Sequence, residues 1–343
     1  MRSPGFTLVE MLVSLAIGSV VAMAAVTFAG DHVRLLSITE DRLDMNQDGR
    51  AVLELLARDL RHAGLGVGYR ADGEFAGLRR GAFSVPGGAS FQANDRSFSA
   101  GGISVVTDDL GVRFALGDVR TITEFDATQG VICAGGRFAS GEVVVLMAQH
   151  GQYAHTARLI DVQAGGCQDH GCADGCESFY YEFDSSYESG PTAITSPYTQ
   201  GELLGGYEEV VYYVNEDDFS GLPSLFRADV SAGRPCSDAS SCGAVVGTSV
   251  EALQVRVWML DEALNTWIDV TAEPSITESA PLRVDLELVL RADREREGAT
   301  RSIESVLAGG ACYPGPCGSQ DHHVRDVVRT SVEIRNAGRM QLK

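Results

Sequence analysis

The chain has 343 residues, 44% of them apolar and 22% charged, a balance that suits a folded protein of about two domains and excludes a disordered one. Its 47 acidic and 27 basic residues give a formal charge of -20, which excludes the concentrated positive surface that nucleic acid requires. The 39 glycines against 10 prolines point to many turns and a loop-rich β architecture, and the net charge to an acidic, solvated exterior.

The N-terminus carries the strongest pattern. Met1 to Gly5 is a tiny leader with one cation, Arg2, and an apolar run then extends from Phe6 to Ala29 with a single charge, Glu10. About 20 apolar residues cross a bilayer, so this run is long enough to span one. Arg2 before it and Asp31 after it favour a cytoplasmic leader and an exported remainder. A removable secretory signal is the plain alternative, with Ala22-Met23-Ala24 as its cleavage site. Glu10 argues against that, because a carboxylate inside the apolar run costs free energy. The continuing helical rhythm argues against it too. Leu36, Leu43, Leu53, Leu56 and Leu60 recur on one helix face, with Arg34, Glu40, Asp41, Arg42, Asp44, Arg50, Glu54, Arg58 and Asp59 between them. Gly64, Gly66 and Gly68 then stop the pattern. The expectation is one helix from about Phe6 to about Ala63, on the order of 85 Å long. Its half at 6–30 is apolar all round and its half at 31–66 is amphipathic. Asp44 to Gly49 imitates the start of an EF-hand loop, but the twelfth position is Leu55 and the helical rhythm continues through it.

Gly5-Phe6-Thr7-Leu8-Val9-Glu10 resembles the processing site of type IV prepilins and of type II secretion pseudopilins. The resemblance implies that a prepilin peptidase cuts after Gly5 and that the new N-terminal Phe6 is methylated. Glu10 becomes the fifth mature residue, where the family carries its glutamate. Pairing of Glu10 with the Phe6 ammonium of a neighbouring subunit would set the axial register of assembly. A second block, Asn46 to Gly64, resembles the helix end of PilW-like minor pilins, with Leu53, Leu56 and Leu60 buried against a globular domain.

Beyond Gly68 the pattern turns to short strands at Ile103–Thr107, Val119–Phe125, Glu142–Ala148, Thr156–Val162 and Ser178–Phe183. Others follow at Glu209–Val214, Ser249–Met259, Leu282–Arg291 and Val328–Arg335. Together they read as an α+β layout, a long N-terminal helix packed on a mainly antiparallel β domain over 67–343. Glu209 to Val214, Leu225 to Arg227, Val250 to Arg256, Leu282 to Leu288 and Thr330 to Asn336 are again similar to PilW-like proteins. The resemblance covers 5–66 and 205–337 and leaves an unmatched insert at about 70–200.

The eight cysteines, Cys133, Cys167, Cys172, Cys176, Cys236, Cys242, Cys312 and Cys317, are even in number and absent from the first 132 residues. Such usage suits disulfides formed outside the cytoplasm. Cys167, Cys172 and Cys176 with His170 have the donor types of a zinc site, but their spacings match no common finger, and oxidation is the favoured fate. His322-His323 reads as a solvated loop. Asn215-Glu216-Asp217-Asp218 with Asp229 could hold calcium, Asp217 and Asp218 foremost, although a hairpin tip is the simpler reading. With no phosphate loop, nucleophile elbow or specified carboxylate pair, the sequence gives no reason to expect an enzyme, a resident metal or a cofactor.

The resemblance implies a minor pilin that helps initiate the fibre or sits in its tip complex. It would start as a single-pass inner-membrane protein with its C-terminal domain in the periplasm, and finish at the cell surface. Its implied partners are prepilin peptidase, other major and minor pilins, the inner-membrane assembly platform and the lipid bilayer, with no nucleic acid. The alternatives are a minor pseudopilin of type II secretion and an adhesive tip subunit binding through the insert.

Overall fold

The structure, a computed structural model, describes residues 7–65, 78–79, 83–84, 90–91, 96–100, 103–115, 119–126, 130–136, 138–147, 154–164, 177–183, 203–217, 219–229, 243–261, 263–271, 281–295, 303–305, 311–313 and 323–334. Among the described residues one helix, α1 (Leu8–His62), is followed by strands. These are β1 (Leu78–Arg79), β2 (Phe83–Ser84), β3 (Ser90–Phe91), β4 (Arg96–Ala100), β5 (Ile103–Thr107), β6 (Leu110–Ala115) and β7 (Arg120–Asp126). Next come β8 (Val131–Ala134), β9 (Val143–Met147), β10 (Ala154–Ala164), β11 (Glu177–Phe183), β12 (Leu203–Glu216) and β13 (Pro223–Asp229). The last are β14 (Gly243–Gly247), β15 (Val250–Asp261), β16 (Thr266–Asp269), β17 (Leu282–Glu295), β18 (Ile303–Ser305), β19 (Ala311–Tyr313) and β20 (His323–Ile334).

Helix α1 is unbroken for 55 residues, about 82 Å at 1.5 Å per residue, and it runs straight through the Asp44–Gly49 segment that imitates a calcium loop. Two regimes divide it. Apolar side chains from Leu8 to Phe28 are bare, between 52% and 77% exposed. From Met45 onward one stripe is buried: Met45, Gly49, Val52, Leu53, Leu56, Ala57, Asp59 and Leu60. Leu36 and Leu43 share the leucine spacing but remain 58% and 56% exposed, because the head fully buries helix residues only from Met45, with Ile38 partly covered before it.

Two antiparallel layers make the seat. The first is ordered β16-β15-β17-β20 and the second β1-β6-β12-β13-β14. Alternation in β15 and β17 directs Leu253, Val255, Val257, Val284, Leu286 and Leu288 to the helix, and Leu110, Val112, Val210, Tyr212 and Leu225 come from the second layer. All belong to one apolar cluster with the buried stripe of α1.

A further unit sits at the end of β6. The first residues of β12, Leu203 to Gly206, pair with β9 on one side, and Leu203 and Leu204 pair with β7 on the other. β7 pairs β8, β8 pairs β11, β11 pairs β10, and β10 pairs β9. The ring β12-β7-β8-β11-β10-β9 therefore closes into a six-stranded antiparallel barrel. Ile122, Ile132, Val144, Leu146, Leu159, Phe179 and Leu204 fill it, all 0% exposed, in a cluster separate from the helix seat. Strands β1 to β4, β6, β8, β14, β16, β18 and β19 go beyond the sequence expectation. β8 is only four residues long, and β6 alternates Leu110, Val112 and Phe114 with Gly111 and Arg113 but is buried on both faces.

Candidate functional site

The anchor starts with a cap. Thr7 is the N-cap of α1, and Glu10 occupies the third helical position. The Glu10 backbone N–H donates to Thr7 Oγ1 at 3.3 Å, while Glu10 Oε2 accepts from both the Thr7 backbone N–H and its hydroxyl, each at 2.9 Å. This reciprocal box satisfies two of the orphan N–H groups at the helix start. The spacing Thr-x-x-Glu is its sequence signature, which the prepilin resemblance overshadowed. Gly5 and Phe6, the expected cut and methylation site, lie outside the described residues.

Within the apolar run, hydroxyls turn back onto the helix. Ser14 donates to the Glu10 carbonyl, Ser19 to Ala16 O at 2.8 Å and Thr27 to Met23 O at 2.6 Å. In hydrocarbon an unmade hydrogen bond is costly, so these local bonds make the polar side chains compatible with a membrane. Among the described residues this is the one helix long and apolar enough to cross a bilayer.

The seat combines a close backbone approach with polar contacts. At Gly49 a Cβ would lie 2.5 Å from Leu290 Cδ1 and 2.9 Å from Val328 Cγ2, so the helix approaches β17 and β20 through the space that glycine leaves. Nearby, Asn46 Nδ2 donates to Asp326 Oδ2 at 2.6 Å. In the last turn, Asp59 is 2% exposed. Its Oδ2 accepts from the Tyr212 hydroxyl at 2.6 Å and from Arg227 Nε at 3.0 Å, and its Oδ1 lies 3.3 Å from Arg58 Nε. The Asp59 carboxylate and burial push the Tyr212 phenol upward, burial being the larger cause. Glu208, on the same strand, is raised by burial and then by Asp229. Asp59 falls on the leucine stripe at three residues past Leu56, although in the sequence it stands among the charged residues between the leucines. The chain leaves the helix through Gly64, whose φ of 76° requires no side chain, and Gly64 N–H donates to Arg113 O at 2.9 Å.

The other candidates scatter. Cys133 is buried on β8, its Sγ 3.9 Å from Ser178 Oγ, and Cys312 lies on β19. Cys167, Cys172, Cys176, Cys236, Cys242 and Cys317 lie outside the described residues, as does Asp218. Asp217 is committed to its turn. Its Oδ1 accepts from Phe219 N at 3.3 Å and its Oδ2 from Ser220 N and Oγ at 3.1 and 2.6 Å, and the Ser220 hydroxyl holds the carboxyl below its usual range. Among the described residues no group of three or more His, Cys, Asp or Glu side chains is placed to hold a metal ion.

Comparison with known proteins bears on the anchor. Residues 1–26 match the family model of the prokaryotic N-terminal methylation motif. The motif opens the membrane-length helix, which is set on an antiparallel head. A type IV-like pilin from Thermus thermophilus is a similar solved structure at 16% identity, covering 58% of this chain and 86% of its own. Its TM-score of 0.21 is too low for the superposition to support any argument. No curated protein matches the chain.

Proposed function

We propose that the chain is a structural pilin subunit, processed after Gly5, methylated on Phe6 and assembled with other pilins through its apolar half-helix. The match of residues 1–26 to the methylation motif carries this reading, because α1 runs without a break from that motif into the head. The first 24 apolar residues supply the anchor while the subunit waits in the inner membrane with its head in the periplasm. Prepilin peptidase, the assembly platform and neighbouring pilins are its partners. In that compartment the cysteines pair as disulfides. The blocks at 46–64 and 205–337 favour a PilW-like minor pilin that helps start the fibre or stays at its tip.

Glu10 has two tasks in this account. One oxygen closes the cap on Thr7, and Oε1, which accepts no hydrogen bond among the described residues, is left for the Phe6 ammonium of a neighbour. The test separates them. Glu10→Ala should leave Gly5–Phe6 cleavage normal, by the mass of the membrane-bound protein, and remove the chain from sheared fibres. Thr7→Ala, which weakens the cap alone, should leave incorporation largely intact. Fibres that contain Glu10→Ala at the wild-type level would refute the register role.

A further inference from the structure

We propose that residues 116–206 form a separable module set into one hairpin of the head, dispensable for anchoring and assembly. The register carries the argument. β6 ends at Ala115 and its cross-strand partner is Tyr207 of β12. The described strands between them, β7 to β11, build the barrel, which uses only the first four residues of β12 to close its ring. Removal of residues 116–206 would leave β6 and β12 as an ordinary antiparallel hairpin. The barrel has its own apolar centre around Phe179 and Leu146, and no residue of the helix seat belongs to that cluster. The two units meet over a small patch, where Val143 and Val145 of β9 cover Ala115 and Tyr207.

Position supports the same division. Ala115 N–H donates to Leu65 O just past the helix end, so the barrel joins the head at the C-terminal end of α1, opposite the apolar half. A pilin assembles through that apolar half, and a unit attached at the other end adds a surface without entering the helix packing. This part rests on the proposed pilin reading; the separability does not.

The Ala115 N–H points to Leu65 and away from β12, so Ala115 and Tyr207 are a non-hydrogen-bonded pair and the last bonded pair is Phe114 with Glu208. A four-residue linker with Asn-Gly at its centre adds one bonded pair and a two-residue turn of the hand that hairpins favour. The test replaces 116–206 by Thr-Asn-Gly-Lys in the full-length chain. Expected are normal leader processing, tryptophan fluorescence of a folded head (both tryptophans, Trp258 and Trp267, lie in β15 and β16) and recovery in sheared fibres at the wild-type level. A second variant leaves the chain whole. Phe179→Ala in the detergent-solubilised protein should lower a circular-dichroism transition by about 10 °C or more while the tryptophan transition stays in place. One transition that moves as a whole, an excised chain whose head does not fold, or a folded excised chain missing from fibres would each overturn the proposal. If the wild-type chain is itself absent from fibres, the pilin reading fails, and the two unfolding transitions still decide separability.

Discussion

Replacement of Asp59 by Asn tests the seat of the helix most sharply. A carboxylate in the last turn faces the negative end of the helix dipole, which opposes it by about 0.3–1 kcal/mol. Asp59 is kept there by the Tyr212 hydroxyl at 2.6 Å and Arg227 at 3.0 Å. Breaking a buried ion pair costs roughly 3–5 kcal/mol because the partner charge is stranded. The Arg227 side chain is 26% exposed, so water recovers part of that loss. Relief at the dipole returns a few tenths more, and Asn can still accept from Tyr212. The expected loss for Asp59→Asn is therefore about 2 kcal/mol. Tyr212→Phe should cost about 1 kcal/mol, and the double variant should depart from the sum, since Asp59, Tyr212 and Arg227 share one hydrogen-bonded cluster. Urea unfolding of the detergent-solubilised chain, followed by the two tryptophans of the head, gives the values. A loss under about 0.5 kcal/mol for Asp59→Asn would show that the buried carboxylate does not hold the helix end, and the argument would fail.

Other consequences follow from single contacts. Gly49→Val should destabilise by about 1–3 kcal/mol, since its branches have no room beside Leu290 and Val328. Gly49→Ala should stay within about 1 kcal/mol, helix propensity offsetting a contact that the flexible end of Leu290 can relieve; a thermal melt distinguishes the two. Arg325 pairs with Glu251 at 2.7 and 3.1 Å with both side chains 0% exposed, so Arg325→Ala should cost about 3–5 kcal/mol in the same urea assay. Glu208 binds its proton more tightly folded than unfolded, so its contribution to stability is lost as pH rises above 4.5 through its raised value. Glu208→Gln should therefore raise the melting temperature relative to wild type at pH 7.5, with the difference vanishing near pH 4.

Periodic features were legible in the sequence. The apolar run, the leucine stripe at 53, 56 and 60 and the glycine stop gave a helix from about Phe6 to Ala63, and the structure has it from Leu8 to His62. Strands such as Ile103–Thr107 and Leu282–Glu295 announce themselves by β-branched and alternating residues. What stayed hidden depends on tertiary contact. Asp59 reads as a surface charge until Tyr212 and Arg227, more than 150 residues away in sequence, meet it. Gly49 reads as a weak helix position until β17 and β20 press on it. Barrel closure rests on β12 pairing with β7 and β9 at once, a non-local register that no local pattern encodes.

The account depends most on how the chain begins once it has matured. Mass spectrometry of the N-terminal peptide, from protein recovered from membranes or sheared fibres, measures that directly. A first residue Phe6 bearing one added methyl group is the predicted result. A mature chain that starts near Ala25, or one that retains Met1, would contradict it.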